Sequence, residues 1–510
     1  MANNEGCPLN TQTKAAQSDI PELEELQVTF AAQKAAFLRA PYASSRGRIE
    51  HLRALAGMVL DYRGRIHQAL CADFGAHPQV ASDLIEVGGV AQRALYTAGQ
   101  VEKWMKPERR YSEFAKFGTG KAYVAYQPKG VIGNIVPWNF PYDLSLGPLC
   151  DMFAAGNRCI IKPSEYTPAC GALLKEMLAK TFDADHVAVI VGGLELAKAF
   201  PTLRWDHLLY TGSPQIGKLV ARAAAENLAP VTLELGGKNP VIFCDDGISA
   251  KSIGDTLSIK LVKSGQMCIS PDYCLVPRAR MGEFVALARA HFGDALANYS
   301  SGNDCTGVIS QRQLQRNLRL LDEVRATGSE VIQLDVEGAL DPKTRRMPVS
   351  LVVDPDDQLG IMQEEIFGPM LVVKPYDSLT QAIAYINRGE RPLALYVFTN
   401  DRGIAKRVQH ETFSGGFCVN ACAAHGAVHS LGFGGIGHSG TGRHHGIDGF
   451  REFSNPRGVF IRGWGGLADK IFAPPHGRFA QRVADLSIVE TRLKLRGLWA
   501  SLMRLFRSRH

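Results

Sequence analysis

The chain has 510 residues, too many for a single hydrophobic core, so we expect two or three domains. Its 45% hydrophobic and 21% charged residues are typical of a globular protein in water. The net charge of +7 is modest and collects largely after Arg492, which excludes a concentrated basic face for nucleic acid in the body of the chain.

The 11 cysteines are too sparse for a disulfide framework, and their odd number leaves at least one unpaired, so a reducing compartment is the simpler interpretation. The polar start, MANNEGCPLNTQTK, lacks the basic-then-apolar pattern of a signal peptide. No apolar run is long enough to predict a transmembrane helix. We therefore expect a cytoplasmic protein.

The first predicted elements are helices, over residues 22–106. In RIEHLRALAGMVLDYRGRI, apolar side chains recur at helical spacing from Ile49 to Ile66. Pro107 closes this helical part. The following stretch, KAYVAYQPKG, is predicted to form an edge or interface strand.

From Gly130 onward, short aliphatic runs alternate with helical stretches, which predicts a parallel sheet with helical crossovers and an α/β fold. The runs are GVIGNIV, RCIIK, HVAVIV, DHLLYTG and PVTLEL. A second mixed region, about 239–413, repeats this style in SLVVD, MLVVKPY and LALYVF. Residues 414–446 are rich in Gly, His and Ser and are predicted to be largely loop.

The C-terminal stretch LKLRGLWASLMRLFRSRH has the pattern of a basic amphipathic helix. Its apolar face would comprise Leu495, Leu498, Trp499, Leu502, Met503 and Phe506. Its basic face would comprise Arg496, Arg504, Arg507 and Arg509. Such a helix can lie in an anionic membrane interface, or it can dock on its own protein or a partner subunit. The sequence leaves both open.

Two motif-like stretches do not support the sites that they suggest. GIGHSG, residues 435–440, matches the dinucleotide fingerprint G-x-G-x-x-G, but a loop precedes it and further glycines follow, so we reject it as a phosphate site. CVNACAAHGAVH contains zinc-ligand types, but two residues between the Cys and His pairs are too few to fold back around an ion. We predict no metal site.

Three other stretches each place one reactive residue at the end of a predicted strand. VPWNFP contains Asn139, TLELGGKNP contains Glu234, and SGQMC contains Cys268. An amide donor, a carboxylate base and a thiol together suffice for covalent attack on a carbonyl. Singly, each has a plainer explanation, such as a solvated turn or a small core cysteine. Cys268 precedes a turn-forming Ser-Pro-Asp, whereas Cys274 begins an apolar run and is predicted to be buried.

Taken with further motifs, these stretches resemble the aldehyde dehydrogenase superfamily over about residues 23–460. The motifs, in order, are PWNFP, IIKPSE, YTGSPQIGK, LELGGKNP, SGQMCISPDY, QEEIFGP and LGFGGIGHSGTGRHHG. PWNFPYDLSLGPL and GFREFSNPRGVF are similar to the branch that contains coniferyl aldehyde dehydrogenases, itself similar to the class 3 and fatty aldehyde enzymes.

The resemblance implies a catalytic role for three residues. Cys268 would attack the aldehyde carbon as a thiolate, and the Asn139 amide with the Cys268 backbone N–H would hold the oxyanion. After hydride transfer, Glu234 would activate water to hydrolyse the thioester. Because family members that pass the acyl group to coenzyme A generally lack this glutamate, hydrolysis is favoured.

The resemblance also implies NAD as the cofactor, with NADP as an alternative. Lys162 and Glu165 would bind the adenine ribose hydroxyls, and Glu165 would repel a 2′-phosphate. Gly212, Ser213 and Gly217 would open a helix whose N–H groups face the pyrophosphate. The remaining implied contacts are Trp138 and Leu235 in the cofactor cleft, and Glu365 and Phe367 at the nicotinamide ribose and ring.

The resemblance also implies that Tyr142, Trp138 and Phe433 would favour an apolar or aromatic aldehyde, such as coniferaldehyde. The chain departs from the family at Gly432, where LGFGG replaces the usual LPFGG near the aldehyde pocket. A medium- or long-chain fatty aldehyde, oxidised at a membrane, is the alternative. A catalytically silent structural member of the family is a third hypothesis, opposed by the presence of all three catalytic residues.

We therefore expect an α/β protein with a Rossmann-like NAD-binding domain at residues 20–110 and 129–236. The catalytic domain would span residues 237–445. A small β element at residues 111–128 and 450–462 would bridge two subunits of a homodimer. Residues 463–510 form an extension outside the resemblance.

Overall fold

The computed structural model describes residues 20–495. The chain forms two compact units. The first contains the chain up to Trp104 and Pro128–Asn455, and the second contains Met105–Gln127 and the chain from Pro456 onward.

The strands of the described residues are β1 (Glu108–Arg110), β2 (Lys121–Pro128), β3 (Val131–Ile135), β4 (Arg158–Lys162), β5 (Val187–Val189), β6 (His207–Gly212), β7 (Val231–Leu235), β8 (Pro240–Phe243), β9 (Tyr273–Pro277), β10 (Glu330–Gln333), β11 (Ser350–Val353), β12 (Met370–Tyr376), β13 (Ala394–Phe398), β14 (Gly416–Val419), β15 (Gly440–Thr441) and β16 (Ser454–Ile461). The helices are α1 (Pro21–Arg39), α2 (Ser45–Asp61), α3 (Arg63–Phe74), α4 (Gln79–Ala81), α5 (Gly88–Trp104), α6 (Phe114–Phe117), α7 (Asp143–Ala155), α8 (Pro168–Thr181), α9 (Leu194–Ala199), α10 (Pro214–Ala225), α11 (Ala250–Leu261), α12 (Met281–Leu296), α13 (Gln311–Ala326), α14 (Gly360–Gln363), α15 (Leu379–Arg388), α16 (Arg402–Glu411), α17 (Ala424–Ala427), α18 (Gly446–Glu452), α19 (Ala468–Phe472) and α20 (Arg478–Leu495).

The first unit contains a six-stranded sheet in the order β15-β7-β6-β3-β4-β5. Neighbouring strands from β7 to β5 are parallel, and helices connect them, as the alternating aliphatic runs predict. Their side chains are buried almost throughout because helices cover both faces. The core of this sheet includes Val131, Ile160 and Leu208. The predicted α/β fold is confirmed.

A seven-stranded sheet in the same unit has the order β10-β11-β12-β9-β8-β13-β14. Its strands are parallel except β10, which is antiparallel to β11. Its core includes Ile242, Leu275 and Val372. Leu275 and Val372 belong to apolar runs identified in the sequence.

In the first unit, the structure differs from the sequence expectation at three places. The helical pattern from Ile49 to Ile66 is divided between α2 and α3, because Tyr62 leaves the helical conformation. Residues 414–446 contain β14, the short helix α17 and β15, although most of the segment is loop as expected. β15 pairs antiparallel with β7, so part of the segment 237–445 belongs to the six-stranded sheet. The domain boundaries stay a prediction.

The second unit contains a three-stranded sheet in the order β1-β2-β16. β2 is therefore its central strand, whereas the sequence predicted an edge or interface strand. The helices α19 and α20 follow, and α20 exposes Leu486, Ile488, Val489 and Leu495. The predicted basic amphipathic helix lies, from residue 496 onward, outside the described residues. In the part of the chain from 20 to 495, no helix is long and apolar enough to cross a membrane.

Candidate active site

The predicted site residues lie where the two sheets of the first unit face one another through their connecting loops. The loops after β3, β4, β6 and β7 leave the carboxyl ends of the six-stranded sheet. The loops before β9 and β12 enter the amino ends of the seven-stranded sheet. Ligands of open α/β sheets bind outside the carboxyl ends of the strands, so this edge is the place to look for a site.

Cys268 lies in the loop before β9 and is partly exposed, whereas Cys274, inside β9, is fully buried. The predicted contrast in burial is confirmed. The backbone around Cys268 is held by two side chains from the seven-stranded sheet. The Asn239 amide donates to the Cys268 carbonyl at 2.7 Å, and the Tyr396 hydroxyl donates to the Ile269 carbonyl at 2.5 Å. These bonds fix the backbone of Cys268 and Ile269 relative to β8 and β13.

The electrostatic surroundings of the Cys268 thiol favour its protonated form. Burial raises the pKa of Cys268, and the negative charges of Glu365 and Glu234 raise it further. A thiolate is the nucleophilic form of cysteine. The site must therefore provide a base or a nearby positive charge before Cys268 can attack a carbonyl.

Glu234, near the end of β7, is a buried carboxyl group without a hydrogen-bond partner for either oxygen among the described residues. Burial raises the pKa of Glu234 well above its usual value, while Arg443 lowers it and Glu452 raises it. Buried polar atoms are rarely left unpaired in proteins, and such exceptions often mark a functional site or a water. Glu234 thus has the free oxygens and the raised proton affinity of a general base.

Asn139 connects the loop after β3 to the Cys268 loop. Its side chain is buried, and its Nδ2 donates to the Gln266 carbonyl at 3.2 Å. The neighbouring Trp138 ring meets the Phe367 ring edge-on, with centroids 5.3 Å apart. Loops from three positions in the sequence therefore converge at one edge of the sheets.

The N-terminus of α10 has the features of an anion site. Ser213 caps the helix, because its Oγ accepts from the Ile216 N–H at 3.4 Å. Gly217 packs so closely on Leu235 that a Cβ there would approach Leu235 Cδ2 to 2.7 Å. The free N–H groups and the dipole of a helix N-terminus attract phosphate. Gly212, at the end of β6, leads directly into this turn.

Lys162 and Glu165 lie together beyond β4. The Lys162 ammonium is buried and donates to the Glu165 carboxylate at 3.3 Å and to the Pro163 carbonyl at 3.1 Å. Burial lowers the pKa of Lys162, and Glu165 opposes that shift. The Glu165 side chain is 44% exposed and so remains available to a ligand.

Glu365 and Phe367 lie in the loop before β12. Burial raises the pKa of Glu365 to about 8, and Asp272 contributes to the rise. Gly236, just after β7, lies against the Glu365 carboxylate, and a Cβ at Gly236 would overlap it. Phe367 has a left-handed φ of 50°, unusual for a bulky residue. Together with Lys162 and the α10 N-terminus, these groups fit a dinucleotide lying along this edge.

The two predicted substrate-pocket residues differ in their surroundings. Tyr142 is fully buried and has no exposed surface for a substrate, so its predicted role has no support from its position. Phe433 is nearly buried and stacks on His425, with ring centroids 6.0 Å apart and planes 7° apart. At Gly432, the space of a Cβ is taken by the Asp448 side chain, which explains why a larger residue does not fit there.

The two misleading motifs form other structures. Residues 435–440 lead into β15, where Gly440 pairs with Glu234, and not into a helix. In the Cys/His stretch, Cys418 Sγ lies 3.3 Å from His425 Nδ1. Within residues 20–495, no group of three or more His, Cys, Asp or Glu side chains is arranged to hold a metal ion.

Sequence reasoning missed the residues that support the site. Asn239 and Gln266 lie within the quoted motifs TLELGGKNP and SGQMC, so their positions were visible but their hydrogen bonds were not. Tyr396 carries no local signal, because the Ile269 carbonyl to which it donates lies 127 positions away in the sequence.

Comparison with known proteins gives the family context. The sequence model of the Aldehyde dehydrogenase family matches residues 6–459. A "Probable coniferyl aldehyde dehydrogenase" of Pseudomonas aeruginosa is 42% identical over 468 residues, covering 92% of this chain and 97% of the relative. A substrate-bound Staphylococcus aureus AldH superposes with a TM-score of 0.83 at 32% identity, covering 90% of this chain and 99% of the other. A Mycobacterium tuberculosis aldehyde dehydrogenase in complex with NAD+ superposes with a TM-score of 0.77 at 27% identity, covering 87% and 91%.

Proposed function

The chain belongs to the aldehyde dehydrogenase family, a group of NAD(P)-dependent oxidoreductases, and we propose that it oxidises an aromatic aldehyde such as coniferaldehyde to its carboxylic acid. One observation carries the proposal. Asn139 donates a hydrogen bond to the loop that carries Cys268, and the negative charge of Glu234 contributes to the raised pKa of the Cys268 thiol. A nucleophile, an amide donor and a base are therefore available to one carbonyl.

In the first step, Cys268 attacks the aldehyde carbon as a thiolate and forms a tetrahedral thiohemiacetal. Its oxyanion accepts hydrogen bonds from the Asn139 amide and the Cys268 backbone N–H. Asn139 Nδ2 already donates one N–H to Gln266, so its second N–H is available for the oxyanion. One such donor contributes about 2.7–4 kcal/mol to transition-state stabilisation.

A bound nicotinamide dinucleotide supplies the hydride acceptor and, through its positive ring, a charge that favours the thiolate. Lys162 and Glu165 would hold its adenine ribose, and the α10 N-terminus at Gly212, Ser213 and Gly217 would face its pyrophosphate. Trp138, Leu235, Glu365 and Phe367 would surround the nicotinamide end, since the Trp138 and Phe367 rings are in contact and Gly236 lies against Glu365. Because Glu165 would face a 2′-phosphate, NAD is preferred over NADP.

In the last step, Glu234 takes a proton from the water that hydrolyses the Cys268 thioester. A buried carboxylate with a raised pKa is the stronger base once ionised, a common tuning of catalytic glutamates. Neither of its oxygens has a hydrogen-bond partner among the described residues, so both are free to accept from that water.

The aromatic substrate is supported by the aromatic side chains that pack near Ile269, the residue after Cys268, and by the name of the Pseudomonas aeruginosa relative. Phe433 and His425 form a flat stacked pair, and the space beside Gly426 is closed by Phe433 and by Ile269, the residue after Cys268. A planar conjugated aldehyde can stack on such a surface.

A second candidate is a medium- or long-chain fatty aldehyde, oxidised at a membrane surface. The observation in its favour is the row of exposed apolar side chains on α20, in a helix that also carries Arg478, Arg482, Arg492 and Lys494. An amphipathic helix of this composition can associate with anionic lipid.

We also propose a homodimer formed through the three-stranded sheet, since β16 is an edge strand with Phe460 and Ile461 exposed.

An aldehyde panel tests the proposed function. Purified protein is mixed with coniferaldehyde, benzaldehyde or decanal, with NAD and NADP in parallel, and reduced cofactor is followed by absorbance. We expect kcat/KM to be highest with coniferaldehyde and NAD. A higher value with decanal, together with liposome binding that is lost on removing residues 483–510, would favour the second candidate. Absence of reduced cofactor with every aldehyde would contradict both.

A further inference from the structure

A buried ion pair lies between the loops that carry the proposed oxyanion donor and the proposed nucleophile. Lys263 Nζ donates to Glu86 Oε1 at 2.9 Å, and both side chains are fully buried. The two residues are 177 positions apart in the sequence. Removing two charges from water is costly unless further hydrogen bonds satisfy them. The other contacts of the pair therefore indicate what it holds in place.

Glu86 fixes the end of the Asn139 loop. It lies in a π-helical turn, Ser82–Val87. Its Oε2 accepts hydrogen bonds from the backbone N–H groups of Tyr142 at 3.0 Å and Asp143 at 2.9 Å. These N–H groups stand at the start of α7, where no helical partner is available for them. A carboxylate is favoured there by the helix dipole as well.

Lys263 contacts the same loop from the other side. Its Nζ lies 4.8 Å from the centroid of the Phe140 ring, and Phe140 directly follows Asn139. It also lies 4.5 Å from the Phe74 ring centroid. Both distances are within the range of cation–π attraction. Lys263 thus holds the Asn139 loop directly through Phe140 and indirectly through Glu86.

The backbone at Lys263 is strained and leads directly to Cys268. Lys263 and Ser264 both have φ 52°, in the left-handed region that side-chain-bearing residues rarely occupy. Such strain persists only where surrounding contacts impose it. Two are visible: Ser264 Oγ donates to the Thr306 carbonyl at 2.6 Å, and Gln266 Nε2 donates to the Gly307 carbonyl at 3.0 Å. The buried Lys263 side chain is the third.

We propose that the Glu86–Lys263 ion pair positions the Asn139 amide relative to the Cys268 thiol. The inference rests on the proposed function. Both are positioning residues, because they act through the two loops and not on the reacting atoms. A misplacement of about 1 Å can lower an enzymatic rate about 100-fold. Loss of the pair should therefore slow formation of the thiohemiacetal and the hydride transfer that follows it.

The test is the double variant Glu86→Gln/Lys263→Met, which keeps the approximate shapes and leaves no unpaired buried charge. We expect a folded protein whose single-turnover rate of NADH formation is about 100-fold below wild type. Alkylation of Cys268 by iodoacetamide needs no oxyanion donor, so its rate should stay within about twofold of wild type, as should KM for NAD.

A matched control is Lys374→Met. Lys374 is also largely buried, at 11% exposure, and pairs with Asp354 at 3.2 Å and Asp357 at 3.0 Å. It lies towards the carboxyl end of β12, away from the Glu365 loop at the amino end. Its single-turnover rate should equal that of wild type. Glu86→Asp is a second test, since it keeps both charges but shortens the reach; it should also slow NADH formation and spare alkylation.

A wild-type single-turnover rate in the double variant and in Glu86→Asp would overturn the inference. Equal losses of NADH formation and alkylation, or failure of both variants to fold, would assign the pair to general stability and overturn it as well. Failure of the proposed function is distinguishable, because wild type itself would then form no NADH.

Discussion

The Asn139 side-chain amide donates to the Gln266 carbonyl at 3.2 Å, which joins the loop after β3 to the loop that carries Cys268. The bond crosses between the two sheets, since Asn139 follows a strand of one and Gln266 precedes a strand of the other. It therefore holds the Asn139 amide against the loop that carries Cys268 before any substrate is present. Preorganised donors of this kind need little reorganisation during the reaction.

Asn139→Ala should lower kcat by about 100- to 1,000-fold, because the oxyanion loses one of its two donors. KM for NAD should change little. The measurement is steady-state NADH formation with coniferaldehyde. The control is Asn227→Ala, which removes an exposed amide that donates to the Thr202 carbonyl and should leave kcat unchanged. Equal kcat values in wild type and Asn139→Ala would remove Asn139 from the mechanism.

Cys268→Ala should abolish NADH formation, whereas Cys274→Ala should keep it. Cys274 is enclosed in β9, so its loss should cost on the order of 1 kcal/mol of stability through a small cavity. Activity and thermal unfolding of the two variants separate these effects. Peptide mapping after brief alkylation of wild type should find label on Cys268 and not on Cys274. Retained activity in Cys268→Ala would contradict the covalent mechanism.

The sequence predicted the strands well and the support of the site poorly, for physical reasons. A parallel strand that is buried on both faces has a nearly continuous run of aliphatic residues. β3, β4 and β6 can therefore be predicted from the sequence. The break between α2 and α3 at Tyr62 does not change the helical spacing of the apolar residues, so that spacing does not predict the break. The sequence around Lys263 does not show that the lysine is buried, because its partner Glu86 lies 177 positions away in the sequence.

The burial of Tyr142 was equally invisible in the sequence. Tyr142 lies two residues after Phe140 in a motif rich in aromatic side chains, and spacing alone does not show which of them points to the core. In the structure Tyr142 is fully enclosed at the start of α7. Cys268, Glu234 and Asn139 were identified because they lie in long ordered motifs, although their roles stay predictions.

Glu234→Gln should separate hydride transfer from hydrolysis. With the base removed, each subunit should form about one NADH and then stop, because the thioester on Cys268 accumulates. Rapid mixing followed by intact-mass measurement detects both the burst and the acyl group. In wild type, burial raises the pKa of Glu234, so steady-state turnover should fall as the pH drops through that raised value. Normal steady-state turnover in Glu234→Gln would exclude it as the base.

The Glu365 carboxyl should make stability depend on pH. Burial raises the pKa of Glu365 from 4.5 to about 8. Between these values the folded protein binds a proton that the unfolded chain has released, so the free energy of unfolding falls as the pH rises through this window. Glu365→Gln cannot titrate there. Its thermal midpoint relative to wild type should therefore increase from about pH 4.5 to about pH 8, and parallel curves would contradict the raised pKa.

Glu165→Gln should shift the cofactor preference towards NADP. The Glu165 carboxylate is held by Lys162 at 3.3 Å at the end of β4, where the adenine ribose is proposed to lie. A 2′-phosphate placed there meets a negative charge, and removing that charge removes the repulsion while Lys162 stays available to the phosphate. We expect the ratio of kcat/KM for NADP to that for NAD to rise about tenfold or more, equivalent to about 1.4 kcal/mol. The control is Glu195→Gln, which removes an exposed carboxylate of α9 and should leave the ratio unchanged. An unchanged ratio in Glu165→Gln would place the adenine ribose elsewhere along the sheet edge.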